Sequence, residues 1–175
     1  AHMGFVTLGI FSRNIEGLHG SMFQMISHGI ISAALFLCAG YLIERTGKKN
    51  INSYSGLWKK TPIFGSFFFI YIMGGIAFPG TTGFIGEFLI MIGIFKIKFY
   101  LAFLAGTGII LSAAYFLWLY NRIFFGNTNI ISSSIEDLNS YEIIIFSLLL
   151  LFVISFGIYP DLFIKIYELS INQLI

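Results

Sequence analysis

The chain has 175 residues, of which 57% are apolar and only 10% charged, against about 25% charged in an ordinary soluble domain. A soluble fold of this size still exposes about a third of its unfolded surface, so the composition excludes a soluble enzyme, a nucleic-acid binder and a disordered tail. The net charge of +2 points to no class of partner.

Five apolar blocks, bounded by polar residues, follow one another along the chain. The first, 1–12, is short. The second is 21–43. The third is a long stretch, 61–95, interrupted at Pro79-Gly80-Thr81-Thr82-Gly83. The fourth is 99–121, and the fifth, 142–159, is closed by Tyr159-Pro160-Asp161. Blocks of 18 to 23 residues fit a hydrocarbon core about 30 Å thick at about 1.5 Å rise per residue. The pattern predicts an all-α polytopic transmembrane helix bundle forming one domain over 1–175. A β-barrel would show alternating segments of about ten residues, and none is found.

The third block is too long for one straight crossing, since its 35 residues would run about 52 Å as a helix. It is either a hairpin turning at Pro79-Gly80 or one discontinuous helix, broken at 79–83. Loop 44–60 holds Arg45, Lys48, Lys49, Lys59 and Lys60, which the positive-inside rule assigns to the cytoplasm or matrix. A hairpin would add Lys96, Lys98 and Lys165 to that side, eight basic residues against two; a single crossing gives six against four. Charge thus favours the hairpin. Length opposes it, because 81–95 spans only about 22 Å as a helix and carries an acid. Length decides for one discontinuous helix, with Pro79, Gly80 and Gly83 as its breakers, since unwound backbone is tolerated at membrane depth where it is buried in protein or lines a cavity.

Small residues in the fourth block, such as Ala105, Gly106 and Ser112, suit close helix packing. The segment 127–141 is polar and reads as a solvated loop. Trp58 and Tyr159 stand at block ends, as interfacial anchors do. Cys38 sits inside an apolar run and reads as a small buried hydrophobe.

Three ionisable residues inside apolar blocks carry the functional reading. Glu87 lies in Gly83-Phe84-Ile85-Gly86-Glu87-Phe88, with no basic residue before Lys96. An unpaired carboxylate in lipid costs several kcal/mol, so this group either carries a proton or, as a neutral acid, bonds backbone freed at Pro79. His28 shares a helix face with Gln24, four residues before it, and reads as a proton relay or as a packing residue; neutral imidazole passes a proton between its two nitrogens. His2 is in the first block, where Ala1-His2-Met3 reads either as native sequence or as a cloning remnant. Three His, one Cys and one intramembrane acid give no metal-ligand spacing. No phosphate loop or iron–sulfur cysteine cluster is present in the sequence. No cofactor is therefore expected on this chain.

Several motifs together carry a resemblance. They are His2-Met3-Gly4-Phe5, Gln24-Met25-Ile26-Ser27-His28-Gly29, Gly56-Leu57-Trp58, Pro79-Gly80-Thr81-Thr82-Gly83-Phe84-Ile85-Gly86-Glu87-Phe88, and Leu119-Tyr120-Asn121-Arg122. From residue 1 to about 160 the chain resembles the C-terminal part of subunit 4 (bacterial subunit M) of proton-pumping NADH:ubiquinone oxidoreductase, complex I, in the antiporter-like family. The resemblance makes His2 native. It implies a fold of two inverted repeats, of which this chain is the second. It implies that Glu87 is the key carboxylate on the discontinuous helix, and that His2 and His28 belong to a hydrophilic axis along the membrane centre. Sister subunits usually carry Lys where Glu87 stands.

The resemblance further implies a membrane-arm subunit carrying part of a proton path, coupled to NADH oxidation and quinone reduction elsewhere in the complex. Its expected partners are the lipid bilayer, the other complex I membrane subunits, and a separate chain or segment holding the N-terminal half of the same subunit. Its expected place is the mitochondrial inner membrane or, alternatively, the bacterial plasma membrane. Two rival readings stand beside it: a subunit of a multisubunit cation/proton antiporter, and a scaffold bundle in which Glu87 is structural.

Overall fold

A computed structural model of the chain describes residues 1–128 and 135–172. Among these residues every regular element is helical: α1 (His2–Phe11), α2 (Ile15–Thr46), α3 (Pro62–Gly75), α4 (Thr82–Ile97), α5 (Phe99–Phe124), α6 (Ser140–Ile158) and α7 (Asp161–Asn172), with short 3-10 turns at Ile51–Ser53 and Leu57–Lys59. Of these helices α2, α5 and α6 are each long and apolar enough to cross a membrane.

The helix ends follow from local chemistry. Asn14 caps α2, its side-chain oxygen accepting from Gly17 N–H at 2.8 Å, as asparagine at this position does. The same side chain donates to Gly93 O at 2.7 Å and so ties the start of α2 to the end of α4. Gly47, at φ 65°, closes α2 in the left-handed conformation that glycine adopts without strain. Helix α3 begins with Pro62, and its free amides at Ile63 and Phe64 donate to the Asp137 carboxylate at 2.9 and 3.0 Å. Asn139 and Glu142 form a capping box on α6. Part of the segment read as a solvated loop is therefore packed. Ile135 and Leu138 are buried, and Glu136 O accepts from Tyr41 Oη at 2.7 Å. The stretch 129–134 of that segment lies outside the described residues.

The third apolar block forms two helices with a break at 76–81. Pro79 sets its position. In a continuing helix residue 79 would donate to Gly75 O, but proline has no N–H and its ring clashes with the carbonyl four residues earlier. Helix α3 ends at Gly75 for that reason, ahead of the 79–83 stretch that composition marks. Within the break Ala77 takes φ 61° and Gly80 φ 93°. Pro79 and Gly80 lie exposed, whereas Gly83 is already inside α4, where a Cβ would collide with Gly74 O.

Helix α2 serves as a ruler for direction. Asn14 bonds Gly93 O, Gln24 bonds Glu87, Ser27 bonds Thr82, Ile31 packs on Gly74 and Tyr41 stacks on Phe64 with ring centroids 4.1 Å apart. Ascending α2, the partner numbers fall without reversal from 93 to 64. Helices α3 and α4 thus run the same way, end to end and antiparallel to α2, and a hairpin at Pro79 is excluded. Lys96 pairs with Glu16 at one end of α2, and Arg45 pairs with Glu142 at the other.

The two halves are packed by different means. Around α3 the core is aromatic: Phe64, Phe68, Tyr71, Tyr120, Phe124 and Phe146 are buried together. Around α4 the helices touch through glycine. A Cβ on Gly20 would stand 2.7 Å from Ile90 N, and one on Gly157 of α6 would stand 2.6 Å from Thr81 Cα, within the break. Small residues allow such backbone approach. Beyond Pro160, where no block was read, α7 lays Tyr167 and Ile171 against the bundle and leaves Leu162, Ile166 and Leu169 exposed.

This packing predicts a contrast within one helix. Gly20→Ala forces α2 from α4 and should lower stability by about 1–3 kcal/mol, the usual range for overpacking. Gly29→Ala, with nothing within 4 Å of its Cβ, should be neutral or slightly stabilising. Thermal unfolding of the two detergent-solubilised variants checks the order.

Candidate functional site

The break releases the Gly75 carbonyl deep in the bundle, and His2 meets it. His2 Nε2 lies 2.8 Å from Gly75 O. A carbonyl only accepts, so Nε2 carries the hydrogen, and in the neutral ring Nδ1 is then a bare acceptor. That Nδ1 lies 3.3 Å from His28 Nδ1. The tautomers follow: His28 holds its proton on Nδ1 and donates it to His2. The two rings meet edge to face, with centroids 5.5 Å apart and planes at 79°.

The same His2 Nε2–H stands near a second acceptor, Glu87 Oε1, at 3.9 Å. Glu87 is 5% exposed and projects from the second turn of α4. It accepts from Gln24 Nε2 at 3.4 Å. Beside it Ser27 donates to Thr82 Oγ1 at 2.9 Å. The order through space is therefore His28, His2, Glu87, Gln24, drawn from α2, α1, α4 and α2 again. A cleft of about 230 Å³ lined by Ala1, His2, His28, Ser32 and Tyr115 opens at the His28 end. Ile31, Leu35 and Phe116 line it as well, and it has room for several waters at ~30 Å³ each.

Of the residues singled out in the sequence, His2, His28 and Glu87 converge on one place. Pro79 and Gly80 shape the break without touching the carboxyl. The alternative in which Glu87 itself bonds the freed backbone is replaced by His2 bonding it. Sequence reading missed two members, Gly75 and the contact of Gln24 with Glu87. The first was findable, four residues before Pro79. The second needs the antiparallel register of α2 and α4. The remaining histidine, His19, is buried on another face of α2, against Tyr167 with ring centroids 5.6 Å apart, and takes no part in this line. Among the described residues no cluster of His, Cys, Asp and Glu could hold a metal ion.

Residues 1–112 match the family described as NADH:quinone oxidoreductase/Mrp antiporter, transmembrane part. The chain is 45% identical, over its whole length, to NADH-ubiquinone oxidoreductase chain 4 of Marchantia polymorpha and 45% identical to NADH-quinone oxidoreductase subunit M of Rickettsia felis. It spans 36% of the length of each of these relatives. Among solved structures it is similar to a chain of respiratory complex I from Thermus thermophilus with bound NADH, at 35% identity and TM-score 0.86, covering 91% of this chain and 33% of that one. An archaeal membrane-bound sulfane sulfur reductase, at 22% identity and TM-score 0.77 over 89% of this chain and 26% of that one, shares the fold.

The bond from His2 to Gly75 gives a prediction. In His2→Leu a buried carbonyl is left without a donor, at about 1–3 kcal/mol. Amide hydrogen exchange at 76–81 should speed up relative to the rest of α3 and α4, and unchanged protection there would show that His2 does not hold the break.

Proposed function

Since the chain belongs to the NADH:quinone oxidoreductase/Mrp antiporter family, we propose that it is the proton-carrying C-terminal part of a subunit 4/M in the membrane arm of complex I. In this reading 1–175 is a single transmembrane domain in which α3 and α4 together make one crossing, each being too short for a core of about 30 Å. The membrane is the mitochondrial inner membrane or its bacterial counterpart. NADH oxidation and quinone reduction belong to other subunits. The partners are those membrane subunits and the part of the subunit N-terminal to this chain, which we place against the cleft at Ala1, His2 and His28.

One observation carries the reading: at a helix break two hydrogen-bonded histidines stand in line with a buried carboxyl, His2 Nε2 lying 3.9 Å from Glu87 Oε1. Glu87 is the proton acceptor, and His28 and His2 pass protons to it. A proton taken up by His28 on Nε2 lets His28 pass its Nδ1 proton to His2 Nδ1, which leaves His28 neutral and makes the His2 ring an imidazolium. Its Nε2–H then turns from Gly75 O to the Glu87 carboxylate, 3.9 Å away, and the proton moves there. His2 is left neutral with its proton on Nδ1, in the reverse tautomer. Gly75 O now lacks a donor, so its desolvation disfavours this tautomer relative to the starting one. The names of the relatives favour complex I over a separate cation/proton antiporter.

The relay is tested at Glu87. Glu87→Gln keeps the size and the hydrogen bond to Gln24 but accepts no proton. It should lower proton transport about a hundredfold, the low end for a positioned acid or base, while the complex still assembles. Glu87→Asp should retain part of the activity. Protons moved per electron, measured in vesicles, decide between this and a scaffold: an undiminished ratio in the Gln variant leaves Glu87 structural.

A further inference from the structure

Glu87 has a second buried partner that the relay does not use. Gln24 is 1% exposed, and while its Nε2 donates to Glu87 Oε1, its own Oε1 has no hydrogen-bond partner among the described residues. A buried carbonyl left unpaired is costly and rare. Here the missing donor is the neighbour itself in another state. An amide facing a carboxyl matches both of its charge states: the N–H donates to a carboxylate, and the C=O accepts from an acid O–H.

Two features allow the exchange. Gly86 brings α2 and α4 so close that a Cβ on it would stand 2.9 Å from Gln24 Cα and Cβ, which pins the side chain at its root. The last torsion of glutamine is an sp³–sp² bond with a broad, roughly two-fold profile, so one rotation exchanges the two ends of the amide, of which Oε1 lies against Gly86. The other titratable group facing the carboxyl, His2 at 3.9 Å, presents an N–H in the tautomer bound to Gly75. It serves the carboxylate and offers nothing to the acid.

We infer that Gln24 is the positioning residue of Glu87, its amide reversing with each protonation so that the carboxyl keeps one place and one partner in both states. The inference rests on Glu87 being the proton carrier. The amide gains and loses no proton; the proton enters and leaves Glu87 along the relay, and only the direction of one hydrogen bond reverses.

Infrared difference spectroscopy of the isolated membrane complex in vesicles tests this. The Glu87 acid band is the one that vanishes in Glu87→Gln. In Gln24→Met, which keeps the length without donor or acceptor, that band should move to higher frequency. Proton transport should also slow about tenfold, as for loss of one hydrogen bond to a charged group. In Gln24→Glu the neutral acid still offers an acceptor at the same reach, and the band should stay near its wild-type position. An unmoved band in Gln24→Met overturns the inference, whatever the rate. Should that variant fail to assemble, displacement of the band in Gln24→Glu overturns it instead. If Glu87→Gln removes no band, the proton-carrier reading itself falls and takes this inference with it, so the two failures are told apart by which variant leaves the spectrum unchanged.

Discussion

A carbonyl released inside an apolar bundle must find its donor in the protein, because lipid offers none. Pro79 releases Gly75 O, and His2 supplies the donor at 2.8 Å. Much of the site depends on that single bond. It commits one nitrogen of His2 and so fixes the tautomer. The tautomer leaves the other nitrogen to accept from His28, and the pinned ring stands within a short shift of Glu87. A break made elsewhere along the third block would strand the same three side chains without an order among them.

Helix α2 turns that local device into a site. It contributes His28 and Gln24 from one face, four residues apart, and they reach two different neighbours. His28 meets α1, and Gln24 meets α4. The close approach at Gly20 and Gly86 places Gln24 beside Glu87 and leaves the carboxyl 5% exposed. Aromatic packing around Phe64, Tyr71 and Phe124 holds the other half of the bundle. The division puts His2, His28, Gln24 and Glu87 on the glycine-packed side.

Much of this architecture was legible in the amino-acid order. Block lengths gave the helices, and the shortness of 81–95 decided against a hairpin that the lysines favoured. Charge misled because Lys96 and Lys98 sit at the end opposite Arg45, where Lys96 is matched by Glu16, and a bare count of basic residues ignores such pairing. Glu87, His28 and His2 stood out as ionisable groups among apolar neighbours. Three things were not legible. The helix ends before Pro79 rather than at it, because the steric reach of proline extends backward by a turn. The contact of Gln24 with Glu87 depends on interhelical register, to which no single segment testifies. The polar stretch 127–141 looked solvated because its work is done by Asp137, whose carboxylate caps a helix 74 residues before it in sequence.

That cap has a mechanical meaning. Asp137 grips the N-terminal amides of α3, and the Arg45–Glu142 pair, with contacts of 2.8 and 2.9 Å, fastens the same region to α2. Helix α4 is seized independently, through glycine contacts and the bond from Asn14. The two halves therefore have separate moorings, and they meet through 76–81 and the close approach of Gly83 to Gly74 O. Helix α3, about 21 Å long, thus has Asp137 at one end and at the other Gly75 O, the atom on which the tautomer of His2 turns.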